Sequence, residues 1–171
     1  MAWRSIAVVL AVAPVLLAGP AAAKPDPGNG DPIRPSYIPG SFPDEVVEVH
    51  DLTNQERRRD GCHNDLRVDE ALANAADDHS KHMSATANVT HEGEGGSGPD
   101  DRMEAAGYDT SKGWGENIAQ GYDTPEAVMA GWMKSKPHRK NILNCDFKAL
   151  GVGIARAVDG TLYWTQDFGG T

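Results

Sequence analysis

Three side chains in this 171-residue sequence are suited to act together chemically: His91, Glu116 and His138. Glu116 sits in Trp114-Gly115-Glu116-Asn117-Ile118-Ala119-Gln120-Gly121, a short apolar run bounded by glycines. A carboxylate in such a run is costly to bury alone, so it needs a partner. His138 follows Pro137 in the first turn of an expected short helix, where the helix dipole disfavours the imidazolium form. A neutral imidazole is what a metal ligand or a general base requires. His91 heads a loop punctuated by Gly93, Gly95, Gly96 and Gly98. The three are expected to meet in one cleft. Each residue also has an ordinary role open to it: surface histidine, backbone-bonding carboxylate and loop histidine respectively.

Other candidates carry less. His79 and His82 stand three residues apart on an expected helix, a spacing that permits a shared site. The His-Glu-x-x-His zinc pattern is absent, however, and His79 reads as a core residue. Ser135 lies three residues before His138, but no Gly-x-Ser-x-Gly elbow accompanies it. Its expected role is to cap the helix that follows.

The elements that place these residues are legible from Asp44 onward. Val46, Val49 and Leu52 recur at helical spacing, ending near Gly61, and the charged run Glu56-Arg57-Arg58-Arg59 reads as a solvated face. A second helix spans Asp69 to about Ser84, with Leu72, Ala75, Ala76, His79 and Met83 on one stripe. Thr86 to Pro99 is loop, Asp100–Ala106 a short helix, and Gly113–Gln120 an extended segment. Thr124-Pro125 gives a cap and a first-turn proline for a helix through Trp132. A short helix runs from about Pro137 to Leu143. Leu150 to Ile154 and Leu162 to Phe168, joined by a turn at Asp159-Gly160, form a β-hairpin. Gly151 and Gly153 leave one face of its first strand bare, so another element must lie close against it.

The N-terminal part reads differently. Residues 1–23 combine Arg4, an apolar stretch and Ala21-Ala22-Ala23, the pattern of a cleaved export signal. The apolar run is about 15 residues, shorter than the roughly 20 needed to span a bilayer, so no transmembrane segment is expected in the mature form. Residues 24–44 are rich in proline and glycine and read as a tether. The net charge is −9, and cleavage would remove Arg4 and make it more negative. Such acidity argues against nucleic acid and against anionic lipid surfaces as partners.

Several motifs taken together resemble a known family. Asn54-Gln55-Glu56-Arg57, Thr90-His91, Gly115-Glu116-Asn117-Ile118-Ala119 and Trp132-Met133-Lys134-Ser135 come first. His138-Arg139-Lys140-Asn141-Ile142-Leu143, Gly151-Val152-Gly153 and Tyr163-Trp164-Thr165-Gln166 complete the series. Over residues 45–171 they resemble the CAP superfamily, or SCP-like extracellular domain, in its short bacterial secreted form. The resemblance implies an α+β fold, an α-β-α sandwich with a small central antiparallel sheet. It also implies a cleft lined by two histidines and two acids. His91, His138 and Glu116 match that pattern, whereas the second acid falls at Ser135, leaving Ser135 as a possible cleft residue and three potential ligands that, with water, suit a divalent metal such as zinc. The implied role is a secreted, extracellular binding module with a His/Glu metal-capable cleft, its partner an extracellular protein or a lipid. One alternative is a metal-dependent hydrolase using Glu116 and His138, and another is a lipid or sterol carrier.

Cys62 and Cys145 are the two cysteines, and in an exported chain they read as a disulfide. The loop so closed is worth about 4–5 kcal/mol in the chain-entropy model. Replacing both with serine should lower unfolding free energy by that order. Guanidinium denaturation of the two proteins compares them directly.

Overall fold

The computed structural model describes residues 43–170. The expected export signal and almost all of the tether lie outside them. Five helices and four strands follow in the order α1 (Pro43–Arg59), β1 (Arg67–Val68), α2 (Glu70–Thr86), α3 (Pro99–Ala105), β2 (Trp114–Gln120), α4 (Pro125–Lys134), α5 (Lys136–Ile142), β3 (Phe147–Arg156) and β4 (Leu162–Gly170). The strands form one sheet in the order β1-β3-β4-β2. The β3–β4 and β2–β4 pairings are antiparallel, as expected. The two-residue β1, too short to show any alternation in sequence, adds a parallel edge beside Ala149 and Leu150.

Period-two alternation sorts the side chains of the sheet into two layers. Leu150, Val152 and Ile154 of β3, with Trp164 and Phe168 of β4, join Val49 of α1, Val128, Met129 and Trp132 of α4, and Ile142 of α5 in the main core. The opposite face carries Ala149, Gly151 and Gly153, and α2 lies on it. Leu72, Ala75, Met103 of α3 and Ala149 make a second cluster there. The architecture is therefore an α-β-α sandwich.

Local chemistry explains the helix ends. Asp69 caps α2 by accepting from the amides of Ala71 and Leu72. Thr124 caps α4 through Ala127, with Pro125 in the first turn. Ser135 does stand at the start of α5, but its hydroxyl makes no capping bond. In the charged run at the end of α1, Arg58 and Arg59 are exposed as expected, but Arg57 departs from the solvated face. Arg57 is buried and donates to the carbonyls of Ile142 (2.9 Å), Asn144 (2.7 Å) and Phe147 (3.0 Å). A guanidinium has five donors in a fixed fork, enough to satisfy several helix-end and loop carbonyls at once. The Cys62–Cys145 disulfide, with Cα atoms 5.4 Å apart, ties the same two regions together.

The bare face of β3 is filled by backbone. A Cβ on Gly151 would lie 2.1 Å from the Leu72 carbonyl carbon, and one on Gly153 would lie 2.2 Å from that of Ala76. No side chain can yield there, since the neighbour is the α2 main chain itself. Gly153→Ala should therefore cost about 3 kcal/mol or more by forcing α2 off the sheet. Urea unfolding of the variant against wild type measures this.

Candidate functional site

The alternation of β2 decides where its residues point. Glu116 faces the α2 side, opposite Asp167 of β4, while Asn117 faces the other layer, opposite Gln166. Because β2 is the outer strand, groups from both helical layers can meet around its free edge. That edge is closed by side chains instead of another strand. Asn141 of α5 donates to the Glu116 carbonyl at 3.0 Å, and Trp132 of α4 donates to the Ile118 carbonyl at 3.2 Å. Gly115 permits the approach of Asn141, since a Cβ there would stand 3.1 Å from its Oδ1.

The Glu116 side chain is only 1% exposed. Its Oε1 accepts from His91 Nδ1 at 2.6 Å and its Oε2 from Arg102 Nη2 at 2.5 Å. A buried carboxylate is tolerable when paired and hydrogen-bonded in this way. The bond to Nδ1 fixes the tautomer of His91 and leaves Nε2 free on a ring whose side chain is 55% exposed. His138, on the first turn of α5, is half-buried. Burial first, and then the nearby His91, lower its pKa below the usual histidine value, so it is neutral at pH 7. That is the form expected from the sequence, although its cause is burial and a neighbouring imidazole.

A network of amides holds His138 in place. Asn117 donates to the His138 carbonyl at 3.1 Å and to Gln166 Oε1 at 3.1 Å, while Asn141 donates to Asn117 Oδ1 at 2.9 Å. Gln166 donates in turn to Thr53 of α1 at 2.8 Å. Asn117 and Asn141 thus position the site from within the sequence motifs that also contain Glu116 and His138, and Gln166 from the Tyr163-Trp164-Thr165-Gln166 motif. Ser135 is partly exposed at the junction of α4 and α5, its amide donating to the Trp132 carbonyl. Its hydroxyl joins none of these bonds.

The structure therefore brings His91 and Glu116 into direct contact and sets His138 near His91. It adds Arg102 and Asp167, to which sequence reasoning gave no role. Asp167 carried no signal beyond its place after Tyr163-Trp164-Thr165-Gln166, and Arg102 appeared only as a residue of a short helix. His79 lies in the α2 layer as a buried residue, as expected, with Nε2 donating to the Thr90 carbonyl at 2.8 Å.

The donor set bears on the expected metal. Both Glu116 oxygens are engaged, and among the described residues no three His, Cys, Asp or Glu side chains gather as a metal cage. In this arrangement the donors that fit a metal are two imidazole nitrogens, His91 Nε2 and one from His138. Glu116 stands behind His91 in the place from which a carboxylate can orient a histidine ring.

Comparison with known proteins identifies the family. A model described as the cysteine-rich secretory protein family, CAP, matches residues 50–168. The chain belongs to the CAP family. It is 38% identical over 151 residues to the uncharacterized protein YkwD of Bacillus subtilis (strain 168), a match that covers 88% of this chain and 55% of YkwD. A solved extracellular protein containing an SCP domain, from Bacillus anthracis, superimposes with a TM-score of 0.67 at 32% identity, over 75% of this chain and 41% of that one. The chain thus spans roughly half the length of these relatives. An outer surface protein from Borrelia burgdorferi has the same TM-score of 0.67 at 20% identity, over 74% of this chain and 92% of that one, a likeness of fold. Among the described residues of this CAP domain, no helix is long and apolar enough to cross a membrane.

Asp167 gives the site a pH signature. It is fully buried, and neither oxygen has a hydrogen-bond partner among the described residues. Burial, then the charge of Glu116, push its carboxyl well above the ordinary value of 3.8. A group whose folded-state pKa is raised contributes fully to stability below its unfolded value, and that contribution is lost as pH rises toward the folded one. Asp167→Asn, which mimics the neutral acid, should therefore raise stability at pH 7, with the gain vanishing as pH approaches 3.8. Denaturation midpoints across that range check it, and equal midpoints at pH 7 would refute it.

Proposed function

We propose that this CAP domain is an extracellular binding module whose cleft engages its ligand through the imidazoles of His91 and His138. The observation that carries this reading is the Glu116–His91 bond of 2.6 Å, which occupies Nδ1 and leaves Nε2 on a ring 55% exposed, beside a neutral His138. Two imidazoles, one of them backed by a carboxylate, suit a borderline metal such as zinc. A bound divalent cation would supply Lewis acidity at the cleft mouth. The protein's own part is to keep His138 neutral and to hold His91 Nδ1 on the carboxylate. Export to the cell exterior is part of the proposal, supported by the signal-like residues 1–23 and by the extracellular SCP-domain relative.

A hydrolase is the second reading, favoured by the same His91–Glu116 pair. A carboxylate holding Nδ1 prepares Nε2 to take a proton, as in catalytic dyads and triads. In this geometry the base would be His91, since Glu116 is buried and ion-paired to Arg102. Metal-dependent turnover that disappears in Glu116→Gln would favour this reading. Lipid carriage has less to support it. Among the described residues, the exposed large apolar side chains of Val47, Val68, Val89, Trp114 and Val158 belong to five separate segments.

Calorimetric titration of zinc into the wild-type protein and into His91→Ala/His138→Ala tests the leading reading. Saturable binding in the wild type, lost in the double variant while its circular dichroism is unchanged, is the expected result. No saturable binding to the folded wild type would remove metal from the proposal.

A further inference from the structure

We propose that Arg102 is the positioning residue of this cleft, holding His91 by its backbone and by its ring at once. The inference deepens the binding reading above and rests on it for its functional meaning. One guanidinium makes three bonds. Nη1 donates to the His91 carbonyl at 2.9 Å and to the Ser97 carbonyl at 2.9 Å, and Nη2 donates to Glu116 Oε2 at 2.5 Å. The other Glu116 oxygen holds His91 Nδ1. Arg102 therefore reaches His91 twice, directly at the main chain and through Glu116 at the imidazole.

The surroundings are built for this contact. Arg102 precedes Met103, which is fully buried against Leu72, Ala75 and Ala149, so α3 is anchored on the sheet and its arginine is aimed from a fixed base. The Arg102 side chain is 11% exposed. The loop it clasps is closed on itself by Gly93 N–H to the Ser97 carbonyl at 2.8 Å and Gly96 N–H to the Gly93 carbonyl at 3.1 Å. Gly93 lies directly beneath the arginine. A Cβ there would meet Arg102 Cδ at 3.0 Å, Nη1 at 3.1 Å and Ser97 Oγ at 2.8 Å. The glycine thus makes room for the guanidinium to pass close to the loop. Without Arg102, a loop containing Gly93, Gly95, Gly96 and Gly98 would have little to fix His91, since glycine gives the backbone its widest freedom. Glu116 would also lose the cation that matches its buried charge.

Two variants separate the two grips. In Arg102→Gln, both are removed. The amides of residues 92–98 should exchange with solvent faster, the His91 ring should average over both tautomers in nitrogen NMR, and zinc affinity should fall by about tenfold or more, the effect typical of losing an outer-shell partner. In Glu116→Gln, Arg102 keeps its bonds to the two loop carbonyls. The loop amides should stay protected while the His91 ring is released. Arg102→Lys keeps a cation for Glu116 but not the fork, so the ring should keep its tautomer while the loop exchanges faster. This variant also serves if Arg102→Gln fails to fold. The exchange and tautomer measurements need no metal, so a wild type that binds no zinc would refute the metal reading and leave Arg102 standing. Wild-type loop protection in both arginine variants, or an unchanged His91 tautomer in Arg102→Gln, would overturn the assignment.

Discussion

A buried carboxylate must be answered, and in this domain the answer to Glu116 organises the whole edge of the sheet. Its charge is matched by Arg102, and its second oxygen holds His91, so residues 14 and 25 positions before it are brought to one point. Breaking one side of such a buried pair usually costs several kcal/mol, because the remaining charge is left uncompensated. α3, the glycine loop and β2 are therefore coupled through one side chain. The demand for compensation, more than any shape of the cleft, fixes where His91 stands.

The second constraint is the open edge of β2. An unpaired strand edge exposes backbone groups that invite another strand. Here Asn141 and Trp132 take the carbonyls of Glu116 and Ile118, and the amide network continues through Asn117 and Gln166 to Thr53. The same bonds that close the edge place His138 close to His91. Sheet protection and site assembly are in this sense one structure, and membership of the CAP family gives it a wider setting without naming a ligand.

Asp167 is the costly element. Its carboxyl is buried opposite Glu116 with no hydrogen-bond partner among the described residues, and burial drives it toward the neutral acid. Groups of this kind destabilise a fold and cluster where function is carried out. On the far side of the sheet, Arg57 shows the opposite outcome: a buried guanidinium bonded to three carbonyls that ties α1 to the segments around Cys145. Both residues sit in polar surroundings that hydrophobic patterning cannot reveal.

Most of the elements were legible from the residue order alone, whereas the sandwich of layers was implied by the family resemblance and the two-residue β1 left no signal. The helix start at Asp69, the cap at Thr124, the glycine-marked face of β3, the Asp159-Gly160 turn and the cysteine pair each follow from local stereochemistry or from counting, and these survive intact in the fold. The order of residues also nominated His91, Glu116 and His138, because a carboxylate in an apolar strand needs a partner and the two histidines stand at a loop and a helix start. What it could not decide is which partner each group takes. Arg57 reads as one of three arginines on a charged helix end, Arg102 as one charge in a short helix, and Asp167 as one polar residue in a strand. Their roles depend on contacts between segments distant in sequence: Arg57 is 85 residues from Ile142, and Glu116 is 14 from Arg102 and 25 from His91. Only the packing of α2 and α3 on one face of the sheet, and of α4 and α5 on the other, brings those groups within hydrogen-bonding reach, and the strength of such bonds falls away within a few ångströms.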